Sequence, residues 1–246
     1  MSVLRVDRHG AVAVVTLTNP PANAMDAAGL NQLAATFDRL GTDPDVTAVV
    51  VVGEGRVFSA GLDLKAVREL DDAGQEALVD GLNRCFLAVY ACPKLVVGAV
   101  NGHAIAGGLV LALCCDVRLV TASPLRAALA EVTVGVVYPV AAIEVVRQEL
   151  TGAARRRMVL RGEVVDGVGG VALGLFDRVV PHEELLAAAL IEAADTRPPI
   201  GFARIKAQLR APAITAARAA LERGDPLPRP WLGEETFAAA ATALRR

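Results

Sequence analysis

The chain has no excess of positive charge: over 246 residues, 25 Lys and Arg stand against 27 Asp and Glu, a formal net charge of −2. No basic field is present to hold a nucleic acid against physiological salt, so that class of partner is excluded. Long hydrophobic runs are also missing, although mean hydropathy is +0.44. The longest charge-free apolar stretch, residues 95–115, is broken by Asn101, His103 and four glycines. It reads as strand, turn and helix, and no membrane span is expected. Near the first methionine Arg5, Asp7 and Arg8 interrupt any apolar run and no cleavage-site pattern occurs, so the expected compartment is the cytoplasm.

Ligand-type residues are few and scattered. His9, His103 and His182 fall in a turn, a glycine loop and a helix start, without HExxH spacing. The four cysteines, Cys85, Cys92, Cys114 and Cys115, form no CxxC pair, and only His103 is near in sequence. They read as buried thiols, with neither a disulfide nor a zinc site expected. The dinucleotide pattern GxGxxG, the phosphate loop GxxxxGK[ST] and the nucleophile elbow GxSxG are all missing, which removes three large enzyme classes.

Apolar residues, at 54%, are ample for a buried core. The opening VLRVDRHGAVAVVTLT alternates on both sides of His9 and Gly10, the pattern of a β-hairpin. Leu30, Leu33, Phe37 and Leu40 then mark one helix face, with Asp26 as its N-cap. Strands are expected at 46–52, 95–100 and 116–121, and helices at 76–90 and 107–115. The middle of the chain is therefore built of ββα or βα repeats. From Pro139 onward the pattern is helical, with 176–180 the one strand candidate. Proline-rich stretches at Thr196 to Pro199 and Asp225 to Pro230 read as hinges between helices, and Arg155, Arg156, Arg157 and Arg161 as a solvated helix face.

Two glycine turns sit between a buried strand and a helix: Phe58-Ser59-Ala60-Gly61-Leu62-Asp63, and the segment from Asn101 to Gly108. A helix beginning near Gly107 leaves its first amide N–H groups without intrahelical partners, so they point at any anion or developing oxyanion placed there. Either loop alone is weak, since glycine at such turns is common for steric reasons.

Taken together and in order, VFSAGLDL, KLVVGAVNGHAIAGGLVLALCCD and Glu131 four residues before Gly135 closely resemble the crotonase superfamily, the enoyl-CoA hydratase/isomerase family. NPPANAM and ALGLFDRVVP are similar to two further family segments, so the resemblance spans nearly the whole chain. It implies an α/β crotonase-like spiral of ββα units with a C-terminal helical region. On that basis residues 1–190 are expected to form the acyl-CoA-binding core, and 191–246 a helical region for oligomerisation and active-site cover. The implied partner is an acyl-CoA thioester, with coenzyme A as part of the substrate and no separate cofactor. The implied assembly is a homotrimer or homohexamer, joined through apolar positions such as Phe202, Ile205 and Leu209.

The resemblance also implies site roles. The backbone N–H groups of Leu62 and Gly107 correspond to an oxyanion hole, and Glu131 to a catalytic acid/base. Ser59, Ala60, Gly61, Asp63, Gly108, Val110, Ala130 and Tyr138 are implied as substrate-binding, with Arg56 and Lys65 as candidates for coenzyme A by proximity. Hydratases of the family carry two glutamates; here the first position is Val110, and only Glu131 remains. Moving a proton from C2 to C4 needs one carboxylate, so the chain is more similar to the Δ3,Δ2-enoyl-CoA isomerases, as is the spacing of Pro139 eight residues after Glu131. Ala130 and the stretch Val168-Gly169-Gly170 depart from their usual pattern. The alternatives are a weak hydratase, a decarboxylase of the same family, to which Tyr138 bears some likeness, and a non-catalytic acyl-CoA-binding protein. Tyr138 reads as pocket wall and His103 as a packed, hydrogen-bonded imidazole.

Overall fold

A computed structural model describes residues 3–194 and 199–243. The hinge expected at Thr196 to Pro199 lies largely outside them. The first half runs β1 (Leu4–His9), β2 (Val12–Leu17), α1 (Ala27–Thr42), β3 (Ala48–Gly53), β4 (Val57–Ser59), α2 (Leu64–Arg68), α3 (Asp72–Tyr90), β5 (Leu95–Val100), β6 (His103–Ile105) and α4 (Gly107–Leu113). Then follow β7 (Val117–Thr121), β8 (Ala127–Ala128), α5 (Glu131–Val134), α6 (Val140–Glu149) and α7 (Gly152–Arg155), which runs into a π turn at Arg156–Leu160. The chain closes with α8 (Gly167–Ala172), β9 (Arg178–Val180), α9 (Leu185–Ala193), α10 (Pro199–Arg223) and α11 (Glu234–Ala243).

Six strands make one sheet in the order β1-β2-β3-β5-β7-β9, antiparallel at the opening hairpin and parallel elsewhere. Its valine-rich strands are buried on both faces, and their side chains alternate between two cores. Ala13, Val15, Val49, Val51, Val96 and Val100 join the larger core with α1, α3, α4 and α6. Val12, Val14, Ala48, Val50, Leu95, Val97 and Ala99 meet Leu185, Ala189 and Ala193 of α9 on the other face. The division expected at residue 190 thus falls inside a helix that covers the sheet.

The long helices α1 and α3 start at side-chain caps. Asp26 accepts from the Gly29 N–H at 2.7 Å, and Asp71 from Gly74 at 2.8 Å, which begins α3 at Asp72, ahead of its hydrophobic spacing. All four cysteines are buried. α10 is pinned by charge: Asp116 accepts from Lys206 at 2.7 Å and lies 3.1 Å from Arg210, with the latter's guanidinium over the Tyr90 ring. The opposite face of α10 leaves Ile205 and Leu209 66% and 64% exposed. Of the arginine run, Arg157 pairs with Glu163 at the surface. Among the described residues no helix is long and apolar enough to cross a membrane.

Candidate active site

Three short strands, β4, β6 and β8, form a second, parallel sheet. Their carboxyl ends lead directly into Ala60 to Asp63, into Ala106 and Gly107, and into Ala130 and Glu131. Ligands of parallel sheets bind beyond the carboxyl ends of the strands, and here that rule brings three sequence-distant segments to one place.

The first segment is fixed by Met25, whose N–H donates to the Gly61 carbonyl at 2.8 Å and whose carbonyl accepts from Asp63 at 2.9 Å. Those two groups occupy one edge of the segment, so the intervening Leu62 N–H projects from the other. Gly61, at φ +83°, is pressed against the second segment: a Cβ there would lie 3.1 Å from the Gly107 nitrogen. The second segment turns at Ala106, whose φ of 51° and ψ of −126° are unfavourable for an L residue and store about 1–3 kcal/mol. That turn makes Gly107 the first residue of α4, where its N–H has no intrahelical acceptor. Among the described residues neither the Leu62 nor the Gly107 amide is paired to a protein acceptor.

A cavity of about 900 Å³ opens at this junction, within the size range of small-molecule sites. Ala60, Leu62, Gly107, Val110, Ala130, Glu131 and Tyr138 line it. Ser59, Gly61, Asp63 and Gly108 instead hold the segments in place. The Ser59 hydroxyl is fully buried, donating to the Asn23 carbonyl at 2.9 Å and accepting from the Gly61 N–H at 3.2 Å. Asp63 caps α2, accepting from Lys65 and Ala66. Gly108 packs so closely on Ser59 that a Cβ would stand 2.1 Å from its carbonyl oxygen.

Glu131 is the cavity's buried carboxyl group, 8% exposed. Desolvation raises its pKa from 4.5 to about 7, against the opposing effects of the Tyr138 phenol and of its own amide. Tyr138 Oη donates to Glu131 Oε2 at 2.7 Å, so this ring is more than a wall. Burial and the neighbouring carboxylate push the phenol pKa well up, and it keeps its proton. Val110, in the first turn of α4, presents an isopropyl group to the same cavity.

His103 Nδ1 accepts from the Arg126 N–H at 2.8 Å, and both residues line the cavity. Arg56 and Lys65 are exposed and do not line it, whereas Arg126, which sequence reasoning missed, does. Trp231, Leu232 and α11 residues Ala239, Ala240 and Thr242 supply another wall. Trp231 Nε1 donates to the Val137 carbonyl at 2.8 Å, while Gln75 bonds Leu232 through both its N–H and its C=O, tying the wall to α3. No local sequence signal marks these residues, because their place depends on how the last helix returns beside α5.

Two sheets wound from ββα-type units, with helices closing over strand-end loops, define the crotonase fold. The chain belongs to the enoyl-CoA hydratase/isomerase family, enzymes that process acyl-CoA thioesters, and the family pattern matches residues 7–225. Over 191 residues it is 33% identical to the 2,3-dehydroadipyl-CoA hydratase of Escherichia coli, covering 77% of this chain and 74% of that one. A Mycobacterium tuberculosis enoyl-CoA isomerase structure superposes with a TM-score of 0.82 at 30% identity, covering 90% of this chain and 96% of the other. Human mitochondrial Δ3,Δ2-enoyl-CoA isomerase shares the fold with a TM-score of 0.87 at 23% identity, over 100% and 98% of the two chains.

Proposed function

We propose that the chain is an enoyl-CoA isomerase that moves the double bond of a 3-enoyl-CoA to the 2 position. One observation carries the reading: Glu131 is the single carboxyl group among the described residues lining the cavity, and Val110 lines it with a group that neither accepts a proton nor orders water. The Leu62 and Gly107 N–H groups receive the thioester oxygen. Both donors are preorganised backbone groups, so they stabilise the enolate more than the neutral thioester, each by about 3–4 kcal/mol of barrier. The Glu131 carboxylate takes the C2 proton as the electron pair spreads over C2, C4 and the thioester oxygen. The same carboxyl returns that proton to C4, leaving the double bond between C2 and C3 with nothing gained or lost. A carboxyl of pKa about 7 suits both halves of this exchange near neutral pH.

Glu131→Gln tests the assignment: it should fold, bind acyl-CoA and turn over about 10²–10⁴ times more slowly. Near wild-type isomerisation by this variant would overturn it. Hydration of a 2-enoyl-CoA is the second reading, favoured by the activity named for the E. coli relative. It asks one carboxyl to activate water and also to see C2 protonated.

A further inference from the structure

We propose that Tyr138 is a positioning residue, whose phenol holds Glu131 Oε2 and thereby assigns Oε1 as the oxygen that exchanges a proton with the substrate. The proposal rests on the isomerase reading for its substrate, but its geometry stands independently.

The contact is built, with each part held separately. Gly135, left-handed at φ 71°, ends α5 after one turn, and the Val136 N–H returns to the Glu131 carbonyl at 2.9 Å. The chain therefore doubles back and carries Tyr138 over the carboxyl. Three bonds then clamp the segment on either side of the ring. Trp231 donates to the Val137 carbonyl, the Val140 N–H donates to Asp225 Oδ2 at 2.8 Å, and the Ala141 N–H donates to Asn83 Oδ1 at 2.8 Å. Asn83 in turn donates to Asp225 at 2.8 Å, so α3 and the loop before α11 brace one another behind the tyrosine. Two of the three bonds also satisfy the first amides of α6, and together the three fix the backbone on both sides of Tyr138.

A carboxyl free to rotate exchanges its two oxygens. With Oε2 engaged at 2.7 Å, rotation breaks a charge-assisted hydrogen bond in a largely apolar cavity. The phenol also opposes the burial of Glu131, keeping more of it ionised at neutral pH. Other charged groups lie near α5. On α11, Glu234 pairs with Arg68 and Glu235 lies beside it; on the π turn are Arg156 and Arg157, the latter paired with Glu163; the cavity wall brings His103 and Arg126. Of these and Tyr138, only Tyr138 hydrogen-bonds the Glu131 side chain.

The test is a direct titration of Glu131 by isotope-edited carboxyl spectroscopy in the full chain, wild type beside Tyr138→Phe. Loss of the donor should raise the Glu131 midpoint by roughly one to two pH units, and the acid limb of kcat/KM for 3-enoyl-CoA should rise with it while KM holds. Incorporating 3-fluorotyrosine at position 138, a more acidic donor of nearly the same shape, should move the midpoint the other way and covers a Tyr138→Phe protein that fails to fold. Opposite shifts in the two variants support the proposal, whereas an unmoved Glu131 midpoint overturns it. A wild type without isomerase activity would sink the functional reading alone, because the titration needs no turnover.

Discussion

Gly107 and Gly108 are adjacent in sequence, yet replacing each with alanine should have unequal consequences. A Cβ on Gly108 meets the Ser59 carbonyl oxygen at 2.1 Å, its carbon at 2.7 Å and the Ser59 Cβ at 2.9 Å. Backbone atoms do not swing aside, so reaching an ordinary contact of 3.4 Å requires the two loops to part by about 1.3 Å. Ser59 does not yield alone, since its hydroxyl bridges the Asn23 carbonyl and the Gly61 N–H, and Gly61 carries the Leu62 amide. Gly108→Ala should therefore cost about 1–3 kcal/mol in stability. It should also displace one oxyanion donor from the other by up to about 1 Å, enough to lower kcat on the order of 100-fold. A Cβ on Gly107 instead meets Met25 Cε at 3.6 Å and Phe86 Cζ at 3.7 Å, which is ordinary packing. With helix propensity favouring alanine there, Gly107→Ala should unfold within about 1 kcal/mol of wild type. Urea unfolding and steady-state kinetics on both variants provide the check. A Gly108→Ala protein as stable and active as wild type would refute the idea that loop contact positions the donors.

The raised pKa of Glu131 has a stability consequence with a definite sign. Stability from its protonated form is complete below about pH 4.5 and is lost as pH rises through about 7, so wild type should weaken over that window relative to Glu131→Gln, by on the order of 3 kcal/mol. Urea melts at pH 5 and pH 8 would detect it, and parallel curves for the two proteins would contradict it. Val110→Glu should raise hydration of 2-enoyl-CoA. Burying a second carboxyl near Glu131 also raises one pKa and costs several kcal/mol, so hydration per folded molecule is the quantity to compare. The exposed Ile205 and Leu209 lie one turn apart on α10, and self-association through this face is predicted. A stable 25.5 kDa species in sedimentation at micromolar concentration would count against that assembly.

The large sheet was legible because each of its valine-rich strands is long enough for periodicity to register, and the helices because Asp26 and the leucines of α1 follow simple rules. The second sheet was not. β4 and β6 have three residues and β8 two, too short for alternation to show, and they pair across more than twenty intervening positions. The two loops and Glu131 were recognisable from their order and from a family resemblance; their convergence depends on those short strands. The Glu131–Tyr138 hydrogen bond was also hidden, because Gly135 breaks the helix between them and a helical projection of their spacing does not apply. Trp231, Ala239 and Ala240 carry apolar side chains like any other, and only the returning chain puts them over the cavity.

With one carboxyl in its cavity, the protein is predicted to shift a double bond and not to add water efficiently. Purified protein given a 3-enoyl-CoA and, separately, a 2-enoyl-CoA, followed by absorbance and by product mass, tests it most directly. The expected result is conversion of the 3-enoyl-CoA to its conjugated isomer without change of mass, at a kcat/KM well above that for hydration. Gain of water by the 2-enoyl-CoA faster than isomerisation of the 3-enoyl-CoA would contradict it.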